Sequence, residues 1–301
     1  MVLLEYIDKL ILNINKENIP KTIDLILDSG AFNGAYQLGG LLYLKNMENK
    51  NLISIKRLSG ASIGAFTGLL YILNKLETSI DLSNEVVNEF KKTKDLTGYK
   101  KCLNKFLVEN MNKDDYRLAN NRLYITYFSI KNKKQIVRNK YKNNKDLIEH
   151  IIKSAYIPFL FDGNVSYNNS VDGANPYFFK KRKRRILFLK LITLEKSLTV
   201  MSVKNQINNY ARILEGISDI NRFFTVNKRT DMCSYVDNWN IIDFSIMRIR
   251  EISWIIILIL IDIFVYINKQ IPKSIYESQY FIMAKGAFIN FYNDVFINFL
   301  T

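Results

Sequence analysis

Histidine is nearly absent from this chain: His150 is the single one among 301 residues. A mechanism needing several imidazoles is thereby excluded, multi-histidine metal sites among them, and a Ser-His-Asp triad would have one possible base. Cysteine is almost as scarce. Cys102 and Cys233 stand far apart without CxxC spacing, so neither a disulfide framework nor a cysteine zinc site is expected, and the usage suits a reducing compartment. No Pro/Gly/Ser linker and no internal repeat divides the chain, which favours one continuous domain. Met1 to Pro20 also lacks the features of a secretory signal, because Glu5 and Asp8 interrupt the apolar stretch and no small-residue cleavage site follows. Leu3, Leu4, Ile7, Leu10 and Ile11 recur at helical spacing, so residues 1–20 are expected to hold an amphipathic helix, in a protein that stays inside the cell.

Hydrophobic residues make up 48% of the chain and charged residues 24%, enough apolar material for a core and too much for global disorder. The formal net charge is +15. Such an excess suits an anionic partner, either nucleic acid or an acidic membrane surface, and it equally suits charge that is simply solvated.

Along the chain, Ile23 to Leu27 is a short apolar run interrupted by Asp24 and ending in Asp28-Ser29-Gly30, the pattern of a buried strand entering a glycine turn. Gly34 to Leu44 reads as a helix, Leu52 to Leu58 as a second strand and Ala65 to Leu76 as an apolar helix. Together they predict β-turn-α-β-turn-α, a parallel sheet with crossover helices. Asp81 to Arg117 is charged and helical in pattern. Arg122 to Ser129 is aromatic and β-branched, a strand that Lys133 to Val137 could join as a hairpin. Asp146 to Ala155 predicts a helix ending before Pro158; Val165 to Tyr167, a turn and Val171-Asp172-Gly173-Ala174 follow, and Ile186 to Thr193 reads as another apolar strand. From Met201 onward the pattern is mostly helical.

Three segments carry chemistry. Gly60-Ala61-Ser62-Ile63-Gly64 is a GxSxG sequence between a strand and a helix, where a tight turn projects the serine hydroxyl from the sheet top and flanking glycines leave room for it. The following helix directs its N-terminus at the site, which favours an anion. The small-residue turn Asp28-Ser29-Gly30-Ala31-Phe32-Asn33-Gly34 can expose several backbone N–H groups, the usual donors to an oxyanion formed in ester cleavage. It matches neither GxGxxG nor GxxxxGK[ST], so nucleotide binding is the poorer reading. Asp172, before Gly173-Ala174, is on its own an ordinary turn residue. Beside a nucleophile it is also a candidate base, since a carboxylate held against a serine hydroxyl can take its proton if its environment raises its pKa.

In chain order the three segments resemble the patatin-like phospholipase family, which has a GGGxRG oxyanion segment, then GxSxG, then a DGG or DGA motif with the aspartate of a Ser-Asp dyad. Gly34 to Gly39 resembles the family's first helix, Ile151 to Phe161 its Ala-Ser-x-x-Ile-Pro-x-x-Phe stretch, and Asp172-Gly173-Ala174-Asn175-Pro176 its DGA with a following Asn-x-Pro element. The likeness spans about Thr22 to Thr193. It implies a three-layer α/β/α sandwich, Ser62 as nucleophile, Asp172 as general base, the N–H groups of Ser29, Gly30 and Ala31 as oxyanion hole, a lipid ester as substrate, and no metal or organic cofactor. Two departures stand out: Ser29-Gly30-Ala31 replaces GGG, and Asn33 replaces the arginine, removing a positive charge beside the oxyanion segment. The eroded motif leaves open a catalytically weakened or inactive lipid-binding protein.

The resulting layout is an N-terminal helix (1–20), a catalytic domain (21–200) and a helical extension (201–301) packed on it. His150 lies in an apolar helical stretch and reads as structural. The basic run Lys180 to Arg185 follows Phe178-Phe179. It reads as a solvated loop or, among functional roles, as a patch for anionic phospholipid with the phenylalanines entering the interface, in preference to nucleic-acid contact. Trp254 to Ile267 is apolar except for Asp262 and short for a span, so it reads as a buried core helix first, an interfacial helix second and a transmembrane segment last.

Overall fold

A computed structural model describes residues 2–93, 97–159, 161–180, 183–192 and 208–280, with 282–283, 286–287 and 290–291 beyond them. The amphipathic N-terminus forms α1 (Val2–Leu12) and buries Ile7 and Ile11, as their spacing predicts. The expected β-turn-α-β-turn-α follows as β1 (Thr22–Leu27), α2 (Gly34–Asn49), β2 (Ser54–Ala61) and α3 (Ile63–Leu73). The charged stretch becomes α4 (Ser79–Thr93), α5 (Thr97–Asn110) and α6 (Asp115–Ala119). Then come β3 (Leu123–Ser129) and β4 (Lys134–Arg138), which pair as the predicted antiparallel hairpin. Next is α7 (Asn144–Ala155), capped by the Asn143 side chain accepting from the Asp146 N–H. The chain continues through β5 (Ser170–Asp172), β6 (Arg185–Leu189), α8 (Tyr210–Val226), β7 (Cys233–Tyr235), α9 (Ile241–Gln270) and α10 (Lys273–Tyr276).

Seven strands form one sheet in the order β4-β3-β2-β1-β6-β7, with β5 also paired to β3. The four central strands, β3-β2-β1-β6, are parallel, while β4, β5 and β7 join antiparallel. Along β1, Ile23, Leu25 and Leu27 face the main core with residues of α1, α2, α3, α7 and α8. Ile26 faces the other way, against Phe179, Phe188, Trp239 and Met247 of α9. The result is a three-layer α/β/α sandwich.

Three expectations change. The strand expected over Ile186 to Thr193 ends at Leu189, and Thr193 lies outside the described residues. The C-terminal region is not helical throughout. Residues 201–207 lie outside the described residues, and β7 adds an edge strand whose three residues are too few to show a period in sequence. Trp254 to Ile267 is not a core helix but the outer part of α9, where only Leu258 is buried and Ile256, Ile259 and Ile263 are about half exposed. Among the described residues no helix is long and apolar enough to cross a membrane.

The charged interruption in β1 is explained by alternation. Asp24 points away from the main core and is 1% exposed, paired with Arg57 (2.5 Å) and Arg184 (3.1 Å). Arg57 in turn lies over the Phe179 ring at 4.2 Å. Removing one member of such a buried group strands the other's charge. Arg57→Ala is therefore expected to destabilise the protein by about 3 kcal/mol in urea unfolding, and an unchanged midpoint would show the pair to be dispensable.

Candidate active site

β2 runs straight into Ser62, which adopts φ 54° and ψ −125° before α3 begins. A non-glycine residue in this region carries about 1–3 kcal/mol of backbone strain, which the surroundings must hold. A relay through α7 to the neighbouring strand β3 holds it. The Ser62 N–H donates to Ser154 Oγ (2.9 Å), and the Ser154 hydroxyl donates to the Thr126 carbonyl (2.6 Å). The flanking glycines are required by close approach: a Cβ at Gly60 would stand 2.3 Å from the Gly64 carbonyl oxygen, and one at Gly64 2.6 Å from those of Leu27 and Asp28. The Ser62 side chain makes no capping bond to its own helix, so its hydroxyl is free to turn elsewhere.

It turns to Asp172. β4 pairs with β3 along residues 125–129, so β2 and β5 share the opposite edge of β3. Ala61 lies across from Thr126 and Asp172 across from Tyr127. The end of β2 and the end of β5 therefore sit on adjacent rungs. There the Ser62 side chain stands beside the Asp172 carboxylate, close enough for its hydroxyl to favour the charged form, and the Ala174 N–H donates to Asp172 Oδ1 at 2.7 Å. The Trp254 indole N–H, from α9, donates to the Asp172 carbonyl at 3.1 Å. Asp172 is 5% exposed. Burial pushes its carboxyl up to about 6, against the opposing pull of the Ser62 hydroxyl, the Ala174 N–H and the Arg250 charge.

The turn after β1 stands beside them, and one expectation there is corrected. The Ser29 N–H is not open to a ligand, because it donates to Asp28 Oδ1 at 3.0 Å. Among the described residues the N–H groups of Gly30 and Ala31 have no acceptor, and neither does that of Ile63 at the start of α3. Ala31 takes φ 39°, the left-handed conformation that a glycine would reach without steric cost. Asn33 holds the turn from inside, its Nδ2 donating to the Leu191 carbonyl (3.2 Å) and its Oδ1 accepting from Arg212 of α8 (3.3 Å). Asp28, fully buried, accepts from the Leu191 N–H (3.0 Å) and from Arg250 of α9 (2.8 Å). Arg250 also reaches Ser29 Oγ (2.5 Å) and the Ala174 carbonyl (2.6 Å).

Next to Ser62 and Ala31 opens an apolar cavity between α2, α3 and α4, walled by Leu38, Ile63, Phe66, Leu70, Leu82 and Val86. His150 is elsewhere, buried in α7, its ring stacked on Tyr127 at 5.5 Å, and burial lowers its pKa to about 4. The basic run is also away from the cluster. Arg185 pairs in register with Ile23, at the start of β1, whereas the serine turn follows the strands' other ends. Arg184 is engaged with Asp24, and Arg185 lies over the Tyr235 ring at 3.6 Å. Phe179 is buried and Phe178 is partly buried against Phe188 and Trp239, so both pack into the protein. Lys181 and Arg182 lie outside the described residues. Among the described residues no group of three His, Cys, Asp or Glu side chains could hold a metal ion.

Four contributors were not marked by the sequence: Ser154, Trp254, Arg250 and the Ile63 N–H. The first lies in a segment quoted for its family likeness, and the last follows from its place after the serine. Trp254 and Arg250 gave no signal, since α9 meets the site only through the fold.

The raised carboxyl of Asp172 has a consequence for stability. A carboxylate whose folded pKa stands at about 6 rather than 3.8 binds its proton more tightly when folded. Its contribution is favourable below the unfolded value and is lost as pH rises through the folded one. At neutral pH the buried charge therefore costs up to about 3 kcal/mol. Asp172→Asn is expected to raise the melting temperature at pH 8, with the advantage shrinking through pH 6 and vanishing near pH 4. A destabilised variant at pH 8 would contradict the strained-carboxylate account.

A search of curated proteins finds no match to this chain. A sequence model of the family described as patatin-like phospholipase matches residues 25–181. That span is just over half of the chain and contains the serine turn, the turn after β1 and Asp172 in the order described above. The protein belongs to the patatin-like phospholipase family.

Proposed function

We propose that the protein is a phospholipase A-type acyl hydrolase that cleaves carboxylic esters of membrane phospholipids through Ser62 and Asp172. The observation that carries this reading is the Ser62 side chain standing beside a buried carboxylate whose pKa is raised to about 6, next to unpaired backbone N–H groups and an apolar cavity. A carboxylate with that pKa is ionised at neutral pH yet basic enough to accept a hydroxyl proton in the transition state. Ser62 Oγ attacks the ester carbonyl while its proton passes to Asp172. The carbonyl oxygen becomes an oxyanion, held by the N–H groups of Gly30, Ala31 and Ile63 at the positive end of α3. Collapse expels the alcohol, which takes the proton from Asp172, and leaves the acyl group on Ser62. Water, deprotonated by Asp172, then attacks the acyl-enzyme and releases the fatty acid. The cavity walled by Leu38, Phe66 and Leu70 suits the acyl chain.

The expected surface of action is an anionic membrane, met through α9 rather than the basic run. Ile249, Ile252, Ile256, Ile259, Ile263 and Ile267 are all between 47% and 63% exposed. They recur at three- and four-residue steps on the side of α9 away from Arg250 and Trp254. A row of that size in water marks a docking surface. At roughly 1 kcal/mol for each half-exposed isoleucine removed from water, the row supplies several kcal/mol of lipid affinity. The net charge of +15 favours acidic headgroups.

Two experiments test these statements. Wild type should label with a fluorophosphonate and hydrolyse a soluble short-chain ester, with kcat/KM falling as pH drops below about 6. Ser62→Ala and Asp172→Asn should lose at least 10³-fold, and His150→Gln should stay close to wild type. A wild-type protein that neither labels nor hydrolyses would instead be a lipid-binding member of the family. For the membrane, Ile256→Glu with Ile263→Glu should lower sedimentation with phosphatidylglycerol vesicles more than tenfold and leave soluble-ester hydrolysis intact; unchanged sedimentation would sink the α9 surface.

A further inference from the structure

The family's arginine in the turn after β1 is Asn33 here, yet the turn does not lack a cation. Arg250 arrives from α9, 222 residues from Asp28 in sequence, and is largely buried, its side chain 18% exposed. Every contact it makes joins two parts of the site. Nη1 meets both oxygens of the Asp28 carboxylate, at 2.8 and 3.0 Å. Nη2 donates to Ser29 Oγ (2.5 Å) and to the Ala174 carbonyl (2.6 Å), and the Ser29 hydroxyl also donates to that carbonyl (2.6 Å). Asp28 and Ser29 lead into the N–H groups of Gly30 and Ala31. Ala174 follows Asp172, and its N–H holds the Asp172 carboxylate.

We propose that Arg250 is a positioning residue of the hydrolase: its guanidinium clamps the oxyanion turn to the turn carrying the general base, so that both face Ser62 in one geometry. The proposal rests on the hydrolytic reading of Ser62 and Asp172. A planar fork suits the task, because its parallel donors span the two turns at fixed separation, whereas an ammonium reaches one group at a time. A displacement of about 1 Å between oxyanion donors and base is enough to slow acyl transfer by roughly 100-fold. The guanidinium also lies close enough to Asp172 to favour its charged form, so its loss should be visible in the pH dependence.

The test uses the full chain, a soluble short-chain ester and fluorophosphonate labelling. Arg250→Ala is expected to lower kcat about 10- to 100-fold with KM changed less than threefold, and to move the acidic limb of the pH profile upward. Millimolar methylguanidinium should restore activity to Arg250→Ala, while sodium chloride at the same ionic strength should not. Arg250→Lys should recover only part of kcat. Should Arg250→Ala fold poorly, Arg250→Gln, which keeps two N–H donors and drops the charge, replaces it with the same expectations for kcat and the pH limb. An active wild type beside a substituted protein with unchanged kcat and pH limb overturns the proposal alone. So does a well-folded, slowed variant with no shift of the limb and no response to methylguanidinium, which would mark Arg250 as a general packing residue. A wild type that neither labels nor hydrolyses overturns the hydrolytic reading and the proposal with it.

Discussion

The site depends on a handover along one edge of β3. β2 pairs with that edge as far as Ala61, opposite Thr126, and there the chain leaves the sheet to start α3. β5 takes up the vacant edge at the next rung, with Asp172 opposite Tyr127. Because adjacent rungs of a sheet are fixed in spacing by backbone hydrogen bonds, the serine hydroxyl and the carboxylate have little freedom to separate. Thr126 reinforces the junction from its own side chain, its hydroxyl lying within hydrogen-bond distance of the carbonyls of Gly60 (3.2 Å) and Asn175 (3.0 Å). A slip of one residue in either pairing would turn one of the two side chains to the other face. The register of two short strand ends thus decides whether the proposed dyad exists.

Burial gives that junction its chemical character. Asp172 is enclosed by the Ser62 hydroxyl, the Ala174 N–H and the packing of Trp254 above it, and the loss of water raises its affinity for a proton. His150 experiences the same kind of burial with the opposite outcome. Its protonated form is disfavoured, and it sits neutral between Tyr127 and Tyr141. One effect therefore makes a carboxylate more basic and removes an imidazole from acid-base work at neutral pH. On the proposed reading this is how a chain with a single histidine carries a base.

The parts of this arrangement readable from sequence are those written in neighbouring residues. Gly60 is demanded by its approach to Gly64 inside the elbow and Gly64 by the Leu27 and Asp28 carbonyls, yet both glycines stand within five consecutive residues that spell the pattern. Asp172 with Gly173 and Ala174 is similarly local, since Ala174 supplies the N–H that holds the carboxylate. The Ser29 N–H was misread because a turn of small residues suggests free donors, while the carboxylate of the preceding Asp28 takes this one. The phenylalanines before the basic run were misread because an aromatic pair beside cations fits both a membrane edge and a core. Phe179 lies against Arg57 inside the fold. α9 was misread for a related reason. A helix that is apolar on most sides has the same sequence whether protein or another apolar phase surrounds it, and only its position distinguishes the two.

That position gives α9 two separate duties on opposite faces. Asp243, Met247, Arg250, Trp254, Leu258 and Ile261 follow one another at three- and four-residue steps and are at least partly buried against the body of the protein. Among them Arg250 and Trp254 touch the turns that flank Ser62. The isoleucine row lies on the far side, about 200° of helical rotation away for residues two apart. Inward contacts to Asp28 and Asp172 fix the helix over the site, and its outward row is what a bilayer would meet. On this reading the helix that would meet lipid is also the one that brings the guanidinium to the oxyanion turn. The segment matched by the family ends at residue 181, but the geometry proposed for that segment is held in part by residue 250.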